Sequence, residues 1–156
     1  MIKVLIAGEG GQGIQVIAEI LARAAFADNK QSLYIPNFGV EQRGGVSIAF
    51  VVIDDKPVVY PKFEKADILA ILTERAAGRV KPYIGKQTKI IQGPAITKKD
   101  YGLPAKAWNV LVLGQINKQG KIVTNQILKI SLEKRFAKQF AQNPDLKKID
   151  LEALKK

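Results

Sequence analysis

The chain opens with Lys3-Val4-Leu5-Ile6-Ala7, turns through Gly8-Glu9-Gly10-Gly11-Gln12-Gly13, and continues as a long apolar-rich run. A continuous apolar segment, a glycine-dense turn and then apolar residues at helical spacing predict a buried strand, a tight turn and a helix. Such a turn sets unpaired backbone N–H groups at the positive end of a helix dipole, a setting that favours anionic groups. A second cluster, Glu41-Gln42-Arg43-Gly44-Gly45, follows one strand later. The two clusters together constrain the fold more than either alone.

The first helix is predicted over Ile14–Ala27, from Ile14, Ile17, Ala18, Leu21, Ala22 and Ala25, with Asp28-Asn29-Lys30 closing it. Gln31–Asn37 reads as a second strand, completing a βαβ unit. Phe38–Gly45 is then a loop. Val46–Ile53 is strongly β-forming, and Asp54-Asp55-Lys56-Pro57 punctuates it as a turn. Val58-Val59-Tyr60 is expected to return as the other arm of a hairpin, ended by Pro61. Further strands are expected over Ala66–Leu72 and Thr88–Gln92, with a helix over Glu74–Ile84 between them. Residues 94–107 read as an irregular connection, and Asn109–Leu113 is an apolar run leading to Gly114. Thr124–Phe140 has the spacing of one helix, and 143–156 reads as a peripheral tail, either a short helix or a frayed end. The expectation is one α/β domain spanning 1–156, Rossmann-like and three-layered, with a mostly parallel sheet and an antiparallel hairpin.

Chemistry is narrowed by what is missing. There is no Cys and no His. A disulfide framework, a thiolate zinc site, a cysteine-ligated iron–sulfur cluster and a Ser-His-Asp or Cys-His nucleophile are all excluded. The formal charge of +11 fits an anionic small molecule, an acidic protein or a nucleic acid, and equally a solvated lysine-rich surface. No apolar stretch reaches the roughly 20 residues of a membrane span, and because the chain enters its first strand at Ile2 no leader peptide is expected. A cytoplasmic protein with no membrane association is expected.

Gly8, Gly10 and Gly13 match the G-x-G-x-x-G spacing of dinucleotide-binding turns. That reading needs an acid at the end of the second strand, where Tyr34-Ile35-Pro36-Asn37 offers none. A turn that is merely tight, and a turn that holds a phosphate, both remain open. In the second cluster, Gly44 and Gly45 let another surface come close, and the planar fork of Arg43 suits a carboxylate or phosphate. An internal Glu41–Arg43 pair on a surface turn is the alternative. Asn109 is expected to cap or brace the sheet rather than to touch a ligand.

Taken together, Gly8-Glu9-Gly10-Gly11-Gln12-Gly13, Glu41-Gln42-Arg43-Gly44-Gly45, Pro61, Ala66-Asp67-Ile68-Leu69, Asn109 and Leu113-Gly114 resemble the gamma subunit, or gamma domain, of the 2-oxoacid:ferredoxin oxidoreductases. The likeness spans nearly the whole chain in the expected order. It departs where the family often carries Ser-Tyr-Gly-Pro and this chain has Asn37-Phe38-Gly39-Val40. The resemblance implies a non-catalytic subunit of a hetero-oligomeric pyruvate-, 2-oxoisovalerate- or 2-oxoglutarate-type enzyme. Such an enzyme decarboxylates a 2-oxoacid on thiamine diphosphate, passes electrons through 4Fe-4S clusters to ferredoxin, and transfers the acyl group to coenzyme A. It implies that thiamine diphosphate, Mg and the clusters belong to alpha-, beta- and delta-type partner subunits. Coenzyme A would be shared, touching Gly8, Gly10, Gly11, Gln12, Gly13, Glu41, Gln42, Arg43, Gly44 and Gly45. A free-standing dinucleotide-binding domain and a basic nucleic-acid-binding module are the competing readings.

Overall fold

The computed structural model describes residues 1–38, 45–60 and 62–156. The strands are β1 (Ile2–Glu9), β2 (Gln31–Phe38), β3 (Val46–Asp54), β4 (Ile68–Ile71) and β5 (Lys89–Gln92). The helices are α1 (Ile14–Ala27), α2 (Glu74–Val80), α3 (Pro94–Thr97), α4 (Trp108–Gly120), α5 (Asn125–Arg135), α6 (Ala137–Gln142) and α7 (Pro144–Lys155). Single 3-10 turns occupy Lys81–Tyr83 and Ala105–Ala107. Among the described residues no helix is long and apolar enough to cross a membrane.

β1 organises the sheet. Val4, Leu5, Ile6 and Ala7 have no exposed surface, so the strand is covered on both faces. Strand alternation sends Val4 and Ile6 into one core, and Leu5 and Ala7 into the other. The first core is completed by α1 and α4, through Ile17, Leu21, Leu111 and Leu113. The second is completed by α2, through Ala76 and Val80, and by Phe50, whose ring meets Phe63 and Tyr83 edge-on at 5.3 and 5.4 Å. Each fully buried Leu or Ile contributes about 1.5–3 kcal/mol, which makes this double burial the main source of order in the sheet.

The strand order is β2-β3-β1-β4-β5. β1 pairs with β4 in parallel, and β4 with β5 in parallel, while β3 runs antiparallel to both β1 and β2. The fold is therefore α/β as expected, but the sheet is mixed rather than mostly parallel. The expected 46–60 hairpin does not form. β3 inserts between β1 and β2, pairing Val4 with Val51 and Tyr34 with Val51 from either side. Its two neighbours leave no ladder for a return arm. Val59 and Tyr60 project into solvent instead, 92% and 76% exposed.

The segment expected as one helix over 124–140 is two helices meeting at Phe136, whose backbone leaves helical geometry (φ −104°, ψ 20°). Phe136, at the junction, and Phe140, beyond it, both pack on the first core with their rings 5.6 Å apart. Thr124 caps α5 by accepting from the Ile127 amide, and Asn143 caps α7 by accepting from the Leu146 amide, with Pro144 at the first helical position. The tail 143–156 forms α7 against α4. Gly114 permits the approach: a Cβ there would lie 2.3 Å from the Leu154 carbonyl oxygen, which is backbone and cannot turn aside.

Two outcomes follow from this seat. Gly114→Ala is expected to destabilise the protein by about 1–3 kcal/mol in urea unfolding, although alanine is the better helix former. Stability at or above wild type contradicts the α4–α7 contact. Asp150 on α7 is 4% exposed and its Oδ1 has no hydrogen-bond partner. Burial pushes its carboxyl up to about 6, with the charge of Lys106 opposing the rise. From an ordinary value of 3.8 this is worth about 3 kcal/mol. Between about pH 4 and 6 the folded state keeps a proton that the unfolded state has released, so the contribution is present below pH 4 and lost as pH rises through 6. Asp150→Asn is expected to flatten that part of the stability–pH curve; an unaltered slope contradicts it.

Candidate functional site

The turn after β1 is shaped from inside. Gln12 folds back over it, its Oε1 accepting from the Glu9 amide at 2.8 Å, while its own N–H donates to the Glu9 carbonyl at 3.2 Å. Gly8 makes room for that side chain, since a Cβ there would lie 2.6 Å from Gln12 Oε1. Gly11 has φ +89° and open space around it. Gly13 is constrained twice. It sits at the α1 N-cap with φ +75°, and a Cβ would stand 2.3 Å from Asn109 Nδ2. Asn109 Oδ1 accepts from the Val110 amide, which turns its Nδ2 toward the glycine turn. Asn109 thus braces the first turn of α4 against the first turn of α1, and the N-termini of both helices converge there.

The second cluster lies alongside at its described end. The Gly10 amide donates to the Gly45 carbonyl at 3.0 Å, just beyond the pairing of Glu9 with Val46. Glu41, Gln42, Arg43 and Gly44, like Pro61, lie outside the described residues. The flanking strands are tied to α1 by Gln15, whose amide donates to Ser47 Oγ (2.9 Å) and the Ile48 carbonyl (3.0 Å) and accepts from Tyr34 Oη (2.6 Å). Burial, with the charge of Glu19 adding to it, pushes the Tyr34 phenol up, so it stays a proton donor.

A cleft of about 450 Å³ opens at this junction. Gly11, Gln12, Gly13 and Val16 form one wall. Leu72, Gly93 and Pro94, just past the ends of β4 and β5, form the floor. Lys106, Trp108, Asn109 and Phe136 close the far side. β1, β4 and β5 are parallel, so the cleft lies outside their carboxyl ends. There the chain crosses one way through α1 and the sheet continues the other way through β4, the usual ligand position in open α/β sheets. Lys106 is the charged residue of the lining, which contains no carboxylate. A lysine, the uncapped first-turn amides of α1 and a lining without acid can hold an anion. The ring of Trp108, its Nε1 donating to the Leu103 carbonyl at 3.3 Å, gives the cleft a flat apolar wall. Lys106, Trp108 and Phe136 were not singled out from the sequence, because they come from an irregular connection and a helix break that carry no motif.

The topology weighs against a dinucleotide of the usual kind. In that arrangement the strand following α1 lies beside β1 and carries the ribose-binding acid. Here β3 lies between β1 and β2, and β2 ends in Pro36-Asn37-Phe38.

The sequence profile described as pyruvate ferredoxin/flavodoxin oxidoreductase matches residues 3–106. The chain belongs to this family. A relative named 2-oxoglutarate synthase subunit KorC, from Methanocaldococcus jannaschii, is 32% identical over 154 residues, covering 85% of this chain and 80% of the relative. The solved gamma subunit of a keto/oxoacid ferredoxin oxidoreductase from Geobacter sulfurreducens has the same fold, with a TM-score of 0.71 over 99% of this chain and 98% of that one, at 22% identity. A 2-oxoglutarate:ferredoxin oxidoreductase from Magnetococcus marinus, solved with 2-oxoglutarate, coenzyme A and succinyl-CoA bound, matches at a TM-score of 0.81 and 20% identity. It covers 98% of this chain but only 29% of that longer one. Within the family, the chain is of the gamma-subunit type.

Gly13→Ala is expected to destabilise the fold by about 2–4 kcal/mol, combining left-handed strain with the Asn109 clash. Adding Asn109→Ala is expected to restore the clash share and leave the strain. Urea unfolding of the two variants measures both; a Gly13→Ala protein as stable as wild type contradicts this packing.

Proposed function

We propose that this chain is the gamma-type subunit of a cytoplasmic 2-oxoacid:ferredoxin oxidoreductase complex, and that its cleft holds a phosphate-bearing part of coenzyme A. The observation that carries the reading is the meeting of two helix N-termini at the Gly13–Asn109 contact, beside Lys106 and a wall free of carboxylates. A phosphate satisfies amide N–H groups and a lysine at once, and an acid in the lining would oppose it. The relatives named as oxidoreductase subunits, and the fold match to a protein solved with coenzyme A, support the same reading.

On this reading the chain binds and orients; it does no bond-making of its own. Its glycine turn and Lys106 hold the anionic portion, with Gly8, Gly10, Gly11, Gln12 and Gly13 supplying the backbone surface. The likeness to the family extends the proposal to Glu41, Gln42, Arg43, Gly44 and Gly45 as contacts to the same ligand, with Arg43 supplying a second positive charge. Trp108 and Phe136 shield the contact from water, which strengthens charge-assisted bonds. Decarboxylation and electron transfer take place in alpha-, beta- and delta-type companions, which hold thiamine diphosphate, Mg and 4Fe-4S clusters and pass electrons to ferredoxin.

Titration calorimetry of coenzyme A against the assembled complex tests the cleft. Lys106→Met and Arg43→Ala are each expected to weaken binding about tenfold or more, as the loss of a charge-assisted hydrogen bond worth about 1.5–3 kcal/mol requires. An unchanged dissociation constant in both variants overturns the assignment.

A further inference from the structure

A second and larger hollow lies away from the cleft. It is a groove of about 720 Å³ between α1 and α5, over the β2 edge of the sheet. Ala22, Phe26 and Ala27 of α1 give it an apolar side, beside the hydroxyls of Ser32, Tyr34 and Ser131. Phe26 is 70% exposed, a large ring left in water. Its rim is basic: Arg23 from α1, Lys134 and Arg135 from α5.

One acid, Glu19, sits among these cations. Arg23 and Arg135 both bind it, at 2.9 and 3.0 Å. Burial pushes the Glu19 carboxyl up, but hydrogen bonds from Arg135 and Arg23 more than offset this and hold it below its ordinary value. The carboxylate is thus shared by two guanidiniums, and Lys134 has no ion-pair partner among the described residues. The rim keeps an excess of positive charge around the apolar patch on α1. Beside it β2, eight residues long, is an edge strand of the sheet. Long edges left open invite pairing, and proteins ordinarily cover or protect them.

We propose that this groove is the docking surface for a companion subunit, through a segment that sets an apolar side chain against Phe26 and carboxylates against Arg23 and Lys134. Charge selects this occupant over a second copy of the chain. Two copies meeting here would oppose identical basic rims on molecules of formal charge +11. The assignment rests on the reading of the chain as a subunit, and adds which face it uses and what its partner must present.

Association with purified companion subunits, measured as a dissociation constant near 0.1 M salt, tests it. Phe26→Asp and the double variant Arg23→Glu/Lys134→Glu are each expected to bind at least about tenfold more weakly, as loss of anchor contacts does. Lys148→Glu, an exposed control on α7, is expected to bind within about twofold of wild type. All these positions are exposed, and unchanged melting temperatures confirm intact folding. Groove variants that bind as tightly as wild type overturn the docking surface and leave the subunit reading standing. Wild-type chain that fails to bind the companions overturns both. Concentration-dependent dimerisation of the wild type, abolished by Phe26→Asp, overturns the proposal in favour of a second copy.

Discussion

The complete burial of Val4–Ala7, at the centre of β1, governs the molecule. Its four central side chains divide between two cores, so helices must cover both faces of the sheet. Its carboxyl end must then leave a crowded interior within a few residues and start α1. Gly8 makes room for the folded-back Gln12 side chain, and Gly13 for the left-handed turn and for Asn109. The same shortage of space that demands glycine exposes backbone amides at the helix start. A packing requirement and the proposed anion contact therefore share the same residues.

Antiparallel β3 is the second determinant. By lying between β1 and β2, it moves the end of β2 away from the glycine turn and brings Gly45 to it, through the Gly10–Gly45 hydrogen bond. A G-x-G-x-x-G spacing can thus sit in a sheet that is not arranged for a dinucleotide. The spacing records how tightly the turn is packed; the neighbouring strand decides what can bind.

This also explains which parts could be read in advance. β1, the glycine turn and α1 are local patterns, so period and turn chemistry place them. Val46–Ile53 is plainly a strand from its composition, but pairing is not a local property. Asp54-Asp55-Lys56-Pro57 does end the strand, and nothing nearby says that its partners are Ile2–Glu9 and Gln31–Phe38 instead of the residues that follow. The break at Phe136 has no Gly or Pro to announce it, and the apolar spacing runs on through it unchanged. The cleft was half visible for the same reason. Its glycine wall is contiguous in sequence, whereas Lys106, Trp108 and Phe136 meet it only after folding.

The central claim is that crowding around the end of β1 creates an anion site facing Lys106. A crystal structure of the assembled complex soaked with coenzyme A tests it most directly. The account predicts a phosphate within hydrogen-bond distance of the first-turn amides of α1 and of Lys106 Nζ. Phosphate groups bound on another surface, with a partner's side chain filling the space between Gly13 and Trp108, would contradict it.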